Sequence, residues 1–385
     1  MKKKRLEQIL LLSVIVLMVL SVIIFINQDY GFKEKNEDSS VNYVKAKVVE
    51  VLEQELTVSG ADGEYMLGYQ KLCVRILEGN EKGEEIEIEN YITVDHHVLP
   101  KEGSRVIVCA DCPENAEPYY TIYNYDRSYG MLIGIAIFAI LVILVGRKQG
   151  IRSCIALLFT MLMVVLYLIP QIYEGKNAVA ATLVVVILSC AVTCFCIGGI
   201  SKKTVINIIS AALGGLSAGA MYALFSKILK VTGCNIEEAE SLVIIAKANG
   251  IKLEGILFAA VIIASLGAVM DVAVSLGASL SEISSLNPEL GKKDLFRSGM
   301  NIGKDMIGTM TNTLILAFAG DSLATLLVFI AYGMQFNQFV SSNFLALEVS
   351  KGLAGSAAIV LTVPISAIVS AIGYGKNKHK NNGGK

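Results

Sequence analysis

The sequence predicts an α-helical polytopic membrane protein with about eight transmembrane helices and a small all-β domain between helices 1 and 2. Three observations carry this. Apolar residues make up 54% of the 385, and charged residues only 17%. The two kinds are segregated into long apolar runs and short Lys/Arg patches, and a run of about 18 apolar residues reads as a membrane span. The one sizeable polar block, 27–128, alternates with a period of two in several places. These runs exclude a soluble globular enzyme. With a net charge of −1 and the basic residues clustered at span ends, nucleic-acid binding has no support.

Met1–Arg5 is basic and Leu6–Ile26 is apolar. A signal-peptide core is only about 7–15 residues long and ends at a small-x-small cleavage site. This stretch is longer and lacks such a site, so 1–26 reads as an uncleaved transmembrane anchor.

Residues 27–128 follow as a β domain. Candidate strands are 43–52, 67–77, 85–91, 104–109 and 119–125, with alternation clearest in Lys47-Val-Val-Glu-Val51 and Glu85-Ile-Glu-Ile-Glu89. Gly79, Gly83 and Gly103 mark turns. Five short strands fit an OB-like barrel or a sandwich.

The multi-span domain is 129–375, with spans at about 130–146, 151–169, 178–200, 204–229, 252–279, 303–333 and 352–374. Residues 376–385 form a basic tail. Placing the N-terminus inside puts seventeen Lys/Arg on the cytoplasmic side and six on the other, outside the long polar block. The expected protein is therefore a multi-pass protein of the cell membrane, with both termini cytoplasmic and 27–128 extracytoplasmic. The segment 303–333 is too long for one straight span, about 46 Å against a core of about 30 Å. Gly320-Asp321-Ser322 is a stop-and-start signal within it, so a helix break is expected at Gly320 and Asp321.

The chemistry concentrates in two spans. Asp271 lies well inside 252–279, and a carboxylate there should face a cavity or a partner. Gly267, Asp271, Ser275 and Ser279 recur every fourth residue and share one small, polar helix face. The following span opens with Lys304, then Thr309, Thr311, Asn312 and Thr313. Each Thr can bond back to its own helix, whereas the Asn312 amide needs a partner from elsewhere. The expected polar set is Asp271, Asn312, Thr309, Thr311, Ser275 and Lys304. Lys304 is expected near the cytoplasmic end of its helix, and Asn312 is expected as the better partner for Asp271.

Gly267-Ala-Val-Met-Asp-Val-Ala-Val-Ser275, Asn287-Pro-Glu-Leu290, Phe296-Arg-Ser-Gly-Met-Asn-Ile-Gly-Lys-Asp305 and Gly308-Thr-Met-Thr-Asn-Thr-Leu-Ile-Leu-Ala317 resemble the YibE/F-like membrane family over about 130–375. The resemblance implies a topology class and no reaction. It also implies a paralogous membrane protein as a partner. Asp321 stands where relatives are expected to carry a small hydroxyl residue. A more distant resemblance is to the SecD/SecF export proteins of the RND superfamily, which have an intramembrane Asp, a cytoplasmic link and a Thr/Ser-rich helix start. It implies that the intramembrane carboxylate carries protons.

Of eight cysteines, Cys73, Cys109 and Cys112 fall in the β block. Cys109 and Cys112 are a possible local disulfide or redox pair, or metal ligands with His96 and His97. Thr193-Cys-Phe-Cys196 reads as packing. No P-loop, HExxH or hydrolase nucleophile motif is present. No metal or cofactor is expected, and the chain is not read as an enzyme. The leading expectation is a proton-coupled secondary transporter or export-assisting protein using Asp271. It works as a homo-oligomer or with a paralogue, on an unknown substrate in the lipid bilayer. The alternative is a scaffold or envelope sensor whose β domain binds a partner.

Overall fold

The computed structural model describes residues 40–59, 65–79, 81–113, 117–233, 243, 246–247 and 250–376. The expected anchor 1–26 and most of the basic tail lie outside them. The chain divides into two compact units at Val142/Ile143.

The first unit holds five antiparallel strands, β1 (Val41–Ser59), β2 (Tyr65–Ile76), β3 (Glu85–Ile92), β4 (Arg105–Asp111) and β5 (Tyr119–Tyr125), in the order β3-β2-β1-β4-β5. The alternating pattern becomes one buried face, with Ala46, Val48, Leu72, Val74, Ile88, Val106, Val108 and Ile122 in a common core. β1 runs further than the alternation predicts. Register shifts between Val48 and Glu50 and between Val51 and Glu53 bend it, so its first half pairs with β4 while most of it pairs with β2. Gly68 makes this possible at φ +149, because a Cβ there would meet the Glu55 carbonyl. The sheet curls until the edge strands β3 and β5 touch, giving a partly open five-stranded half-barrel.

The helices are α1 (Ser128–Met163), a π-turn at Val164–Leu168, α2 (Ile169–Tyr173), α3 (Ala178–Gly198), α4 (Lys202–Ile228), α5 (Leu253–Leu286), α6 (Lys292–Asp321), α7 (Leu323–Ala331), α8 (Phe336–Val340) and α9 (Asn343–Tyr374). Asn177, Ser201 and Ser342 cap α3, α4 and α9 by accepting from backbone N–H groups one turn in.

Among the described residues, five helical segments are long and apolar enough to cross a membrane, or six if the bent pair α6–α7 is one span. The expected eight are therefore not reached. The first expected span lies outside the described residues. The next two, 130–146 and 151–169, fall in one segment, Ser128–Tyr173, which is helical throughout except at Arg147. At φ 48 and ψ −128, Arg147 sits at a kink between two helical pieces. The expected break in 303–333 is present. α6 and α7 meet at 51° about Ser322, one residue past Gly320 and Asp321.

Small residues bring α4, α5, α6 and α9 together. A Cβ on Gly214 would strike Thr362 and Val269, one on Gly219 would strike Phe258 and Ile262, and one on Gly303 would strike Val363. Gly214, Gly215 and Gly219 are thus packed against neighbours within the chain, while Leu216 of the same run is exposed.

Candidate functional site

α5 buries Val269, Val272, Ala273 and Leu276, and leaves Gly267, Asp271 and Ser275 open. The helical spacing read from the sequence accounts for this division. Ser279 is half-buried and its hydroxyl donates to the Ser275 carbonyl at 3.0 Å. On α6, Leu295, Gly299 and Gly303 face the bundle, while Lys304, Asp305, Gly308, Thr309 and Asn312 are exposed. Among the described residues, nothing lies within 4 Å of a Cβ placed on Gly267 or Gly308.

Two contacts set the register of these helices. A Cβ on Gly299 of α6 would lie 2.9 Å from Leu280 of α5. A Cβ on Gly355 of α9 would lie 2.7 Å from Leu314 of α6 and 3.4 Å from Ser265 of α5. Leu280 is therefore level with Gly299, and Ser265 with Leu314, in an antiparallel pair. Counting inward from these two contacts at equal rise per residue puts Asp271 near the level of Gly308, Ser275 near Lys304, and Gly267 near Asn312. The row Ala268, Val272 and Leu276, beside the open α5 face, packs in one cluster with Met306, Ile307 and Met310 of α6.

This corrects the expected position of Lys304. α6 begins at Lys292, eleven residues before the expected start, so Lys304 lies three turns inside the helix. Lys304 and Asn312 are each one turn, about 6 Å along the axis, from the level of Asp271. Neither is favoured by depth alone.

The threonines take the local option. Thr309 Oγ1 donates to the Met306 carbonyl at 3.1 Å, Thr311 to Ile307 at 2.6 Å and Thr313 to Thr309 at 2.9 Å. Among the described residues, no hydrogen bond or ion pair joins Asp271, Lys304 or Asn312 to another side chain. An ionised group at mid-span costs at least about 2.5–3.5 kcal/mol on insertion scales. Within a membrane such a face needs water or a polar neighbour against it.

Three features escaped sequence reading. Asp305 stands exposed beside Lys304, where a charge next to a charge reads locally as a helix start. Asn207, Ser210, Ser366 and Ser370 are buried, each with a side-chain oxygen that has no partner among the described residues. The signal at Asn207, an amide in an apolar run, is the same one that singled out Asn312. At the α6–α7 bend, Ser322 Oγ donates to Glu348 at 3.3 Å, and Lys351 pairs with Glu348 at 2.7 Å. Ser322 rather than Asp321 occupies the junction, and Asp321 makes no cap.

Cys109 and Cys112 are free thiols. Cys109 lies in β4, and the Cys112 N–H extends its ladder by donating to the Ser40 carbonyl at 2.9 Å. Three extended residues span about 10 Å, beyond the ~7 Å Cα separation that a disulfide tolerates. Cys112 instead contacts Glu81 at 3.7 Å and the Tyr120 hydroxyl at 4.0 Å. Among the described residues, no three His, Cys, Asp or Glu side chains come together as a metal-binding set.

The chain matches the model of the YibE/F-like protein family over residues 134–376, a stretch that contains both polar helix faces. No curated protein and no solved structure matches it. The family match covers more than half of the chain, and the apolar helices lie within it or overlap it, so this is an integral membrane protein belonging to the YibE/F-like family.

Proposed function

We propose that the protein is a proton-coupled secondary transporter or export-assisting protein in which Asp271 takes up and releases the proton. What supports this is Asp271 on an exposed face halfway along a helix long and apolar enough to cross a membrane, near the level of Gly308 and about one turn from those of Lys304 and Asn312. An intramembrane carboxylate with a cation and an amide about one turn from its level on the next helix has the parts of a proton site. The bend at Ser322 adds a discontinuous helix of the kind that transporters use.

In this reading the protein lies in the cell membrane with both termini cytoplasmic and the β domain outside. The kink at Arg147 supports counting two spans in Ser128–Tyr173, and residues 6–26 would supply another. The functional unit contains a second copy or a paralogue, and the transported substrate is open. No catalytic chemistry is assigned.

Difference infrared spectroscopy on proteoliposomes tests the proton site. A pH step should produce a carboxyl C=O band that is missing in Asp271→Asn, while fold and membrane level stay normal. A spectrum unchanged by Asp271→Asn overturns the reading.

One observation favours the second reading, a scaffold or sensor. The outer face of the β domain carries two exposed tyrosine pairings, Tyr43–Tyr123 at 4.9 Å and Tyr69–Tyr91 at 5.5 Å between ring centroids. Aromatic surface of this kind suits a protein partner.

A further inference from the structure

We propose that the open α5–α6 face is the contact surface for a second copy of this chain, related to the first by a two-fold axis along the membrane normal. This deepens the reading above by naming the partner at its site, and it rests on that reading's placement of α5 and α6 in the membrane.

The glycines give the first reason. On these two helices Gly255, Gly277, Gly299 and Gly303 are each filled by a neighbour from the same chain, whereas Gly267, Gly308 and, at the bend, Gly320 have none among the described residues. All seven permit close backbone approach, and of the three without a described neighbour Gly267 and Gly308 lie along the packed length of the two helices, away from the bend. Both lie on the face that carries Asp271 and Asn312.

The charges give the second. Lys304 and Asp305 are successive residues, and successive residues do not face each other on a helix. They cannot neutralise one another within α6. A two-fold axis along the normal keeps every residue at its own depth. It therefore brings Lys304 of one copy level with Asp305 of the other, twice over, which makes the face self-complementary in charge.

The chain's own apolar segment is a poorer occupant. Residues 6–26 contain one acid, Glu7, and no base, so the segment could answer Lys304 but leaves Asp305 without a partner.

The test uses the full chain in lipid nanodiscs with its eight cysteines replaced by alanine. Single cysteines are then placed at Gly308, at Ser275 and, as a control, at Val360, which is exposed on α9. Oxidation should link Gly308→Cys and Ser275→Cys into covalent dimers at least about tenfold more than Val360→Cys, because only the first two lie at the interface. In native mass spectrometry, Lys304→Asp and Asp305→Lys should each lower the dimer fraction about tenfold, and the two together should restore it. A purely monomeric wild type, cross-linking no better than at Val360, no rescue by the double variant, or cross-linking only within one chain to a cysteine in residues 6–26 would each overturn the proposal. None of these readouts requires proton transfer, so a failure here is separable from a failure of the Asp271 infrared test.

Discussion

In the antiparallel register set by the Gly299–Leu280 and Leu314–Ser265 contacts, Asp271 of α5 falls near the level of Gly308 of α6, with Lys304 and Asn312 about one turn to either side. The carboxylate thus has a cation and an amide at equal depth offsets, and none of the three has a side-chain partner among the described residues. An ion pair and a proton-exchanging site predict different behaviour at this spot.

The discriminating variants are Lys304→Met and Asn312→Leu. If Asp271 is a proton site, Lys304→Met should leave its infrared carboxyl band in place but shift the pH at which the band appears upward. Losing a nearby cation favours the neutral acid. If the Asn312 amide is what the carboxyl bonds on taking up its proton, Asn312→Leu should move the band's frequency. No change in either variant would show that neither residue reaches Asp271.

Gly303 tests the bundle itself. A Cβ there would come within 2.1 Å of Val363 Cγ1. Gly303→Val should destabilise the helical unit by roughly 1–3 kcal/mol or more through overpacking. Gly308→Ala, where nothing among the described residues lies within 4 Å, should cost little in a monomer. Thermal unfolding in detergent measures the contrast, and equal losses would contradict the packing described.

The thiols of the β domain should stay separate. Intact mass under non-reducing conditions should show no bond between Cys109 and Cys112. Burial pushes the Cys112 thiol up, and the Glu81 carboxylate beside it adds to this, although the Tyr120 hydroxyl works against it. The thiolate is the reactive form. Alkylation of Cys112 should therefore be slow at pH 8 and rise about tenfold per pH unit to well above the ordinary thiol range. Rapid labelling at pH 7 would show that this environment is wrong.

Labelling checks the orientation. A cysteine introduced at Glu102, in an exposed turn of the β domain, should react with an impermeant reagent added outside intact cells. One introduced at Lys376 should react only after permeabilisation. The reverse pattern would invert the expected topology.

Sequence alone determined what local chemistry controls. Period-two alternation placed all five strands, because each strand has one buried face. Apolar length marked the membrane segments, and Gly320-Asp321-Ser322 marked the bend. The four-residue spacing of Gly267, Asp271 and Ser275 placed them on one face, because helix geometry depends only on separation along the chain. The tertiary structure decided which faces meet. Spacing could not show that the Asp271 face is open while that of Gly214, Gly215 and Gly219 is filled from within, since both are small-residue faces and only a neighbour's side chain distinguishes them. Nor could it show that α6 starts at Lys292, which carries Lys304 and Asp305 three turns into a helix. Charged residues read locally as the end of a span. Here the contacts of Gly299 with Leu280 and Ala367, and of Gly303 with Val363, hold that charged stretch in the bundle. Those contacts join residues far apart in the chain, and the pairing of distant surfaces is not written in local periodicity.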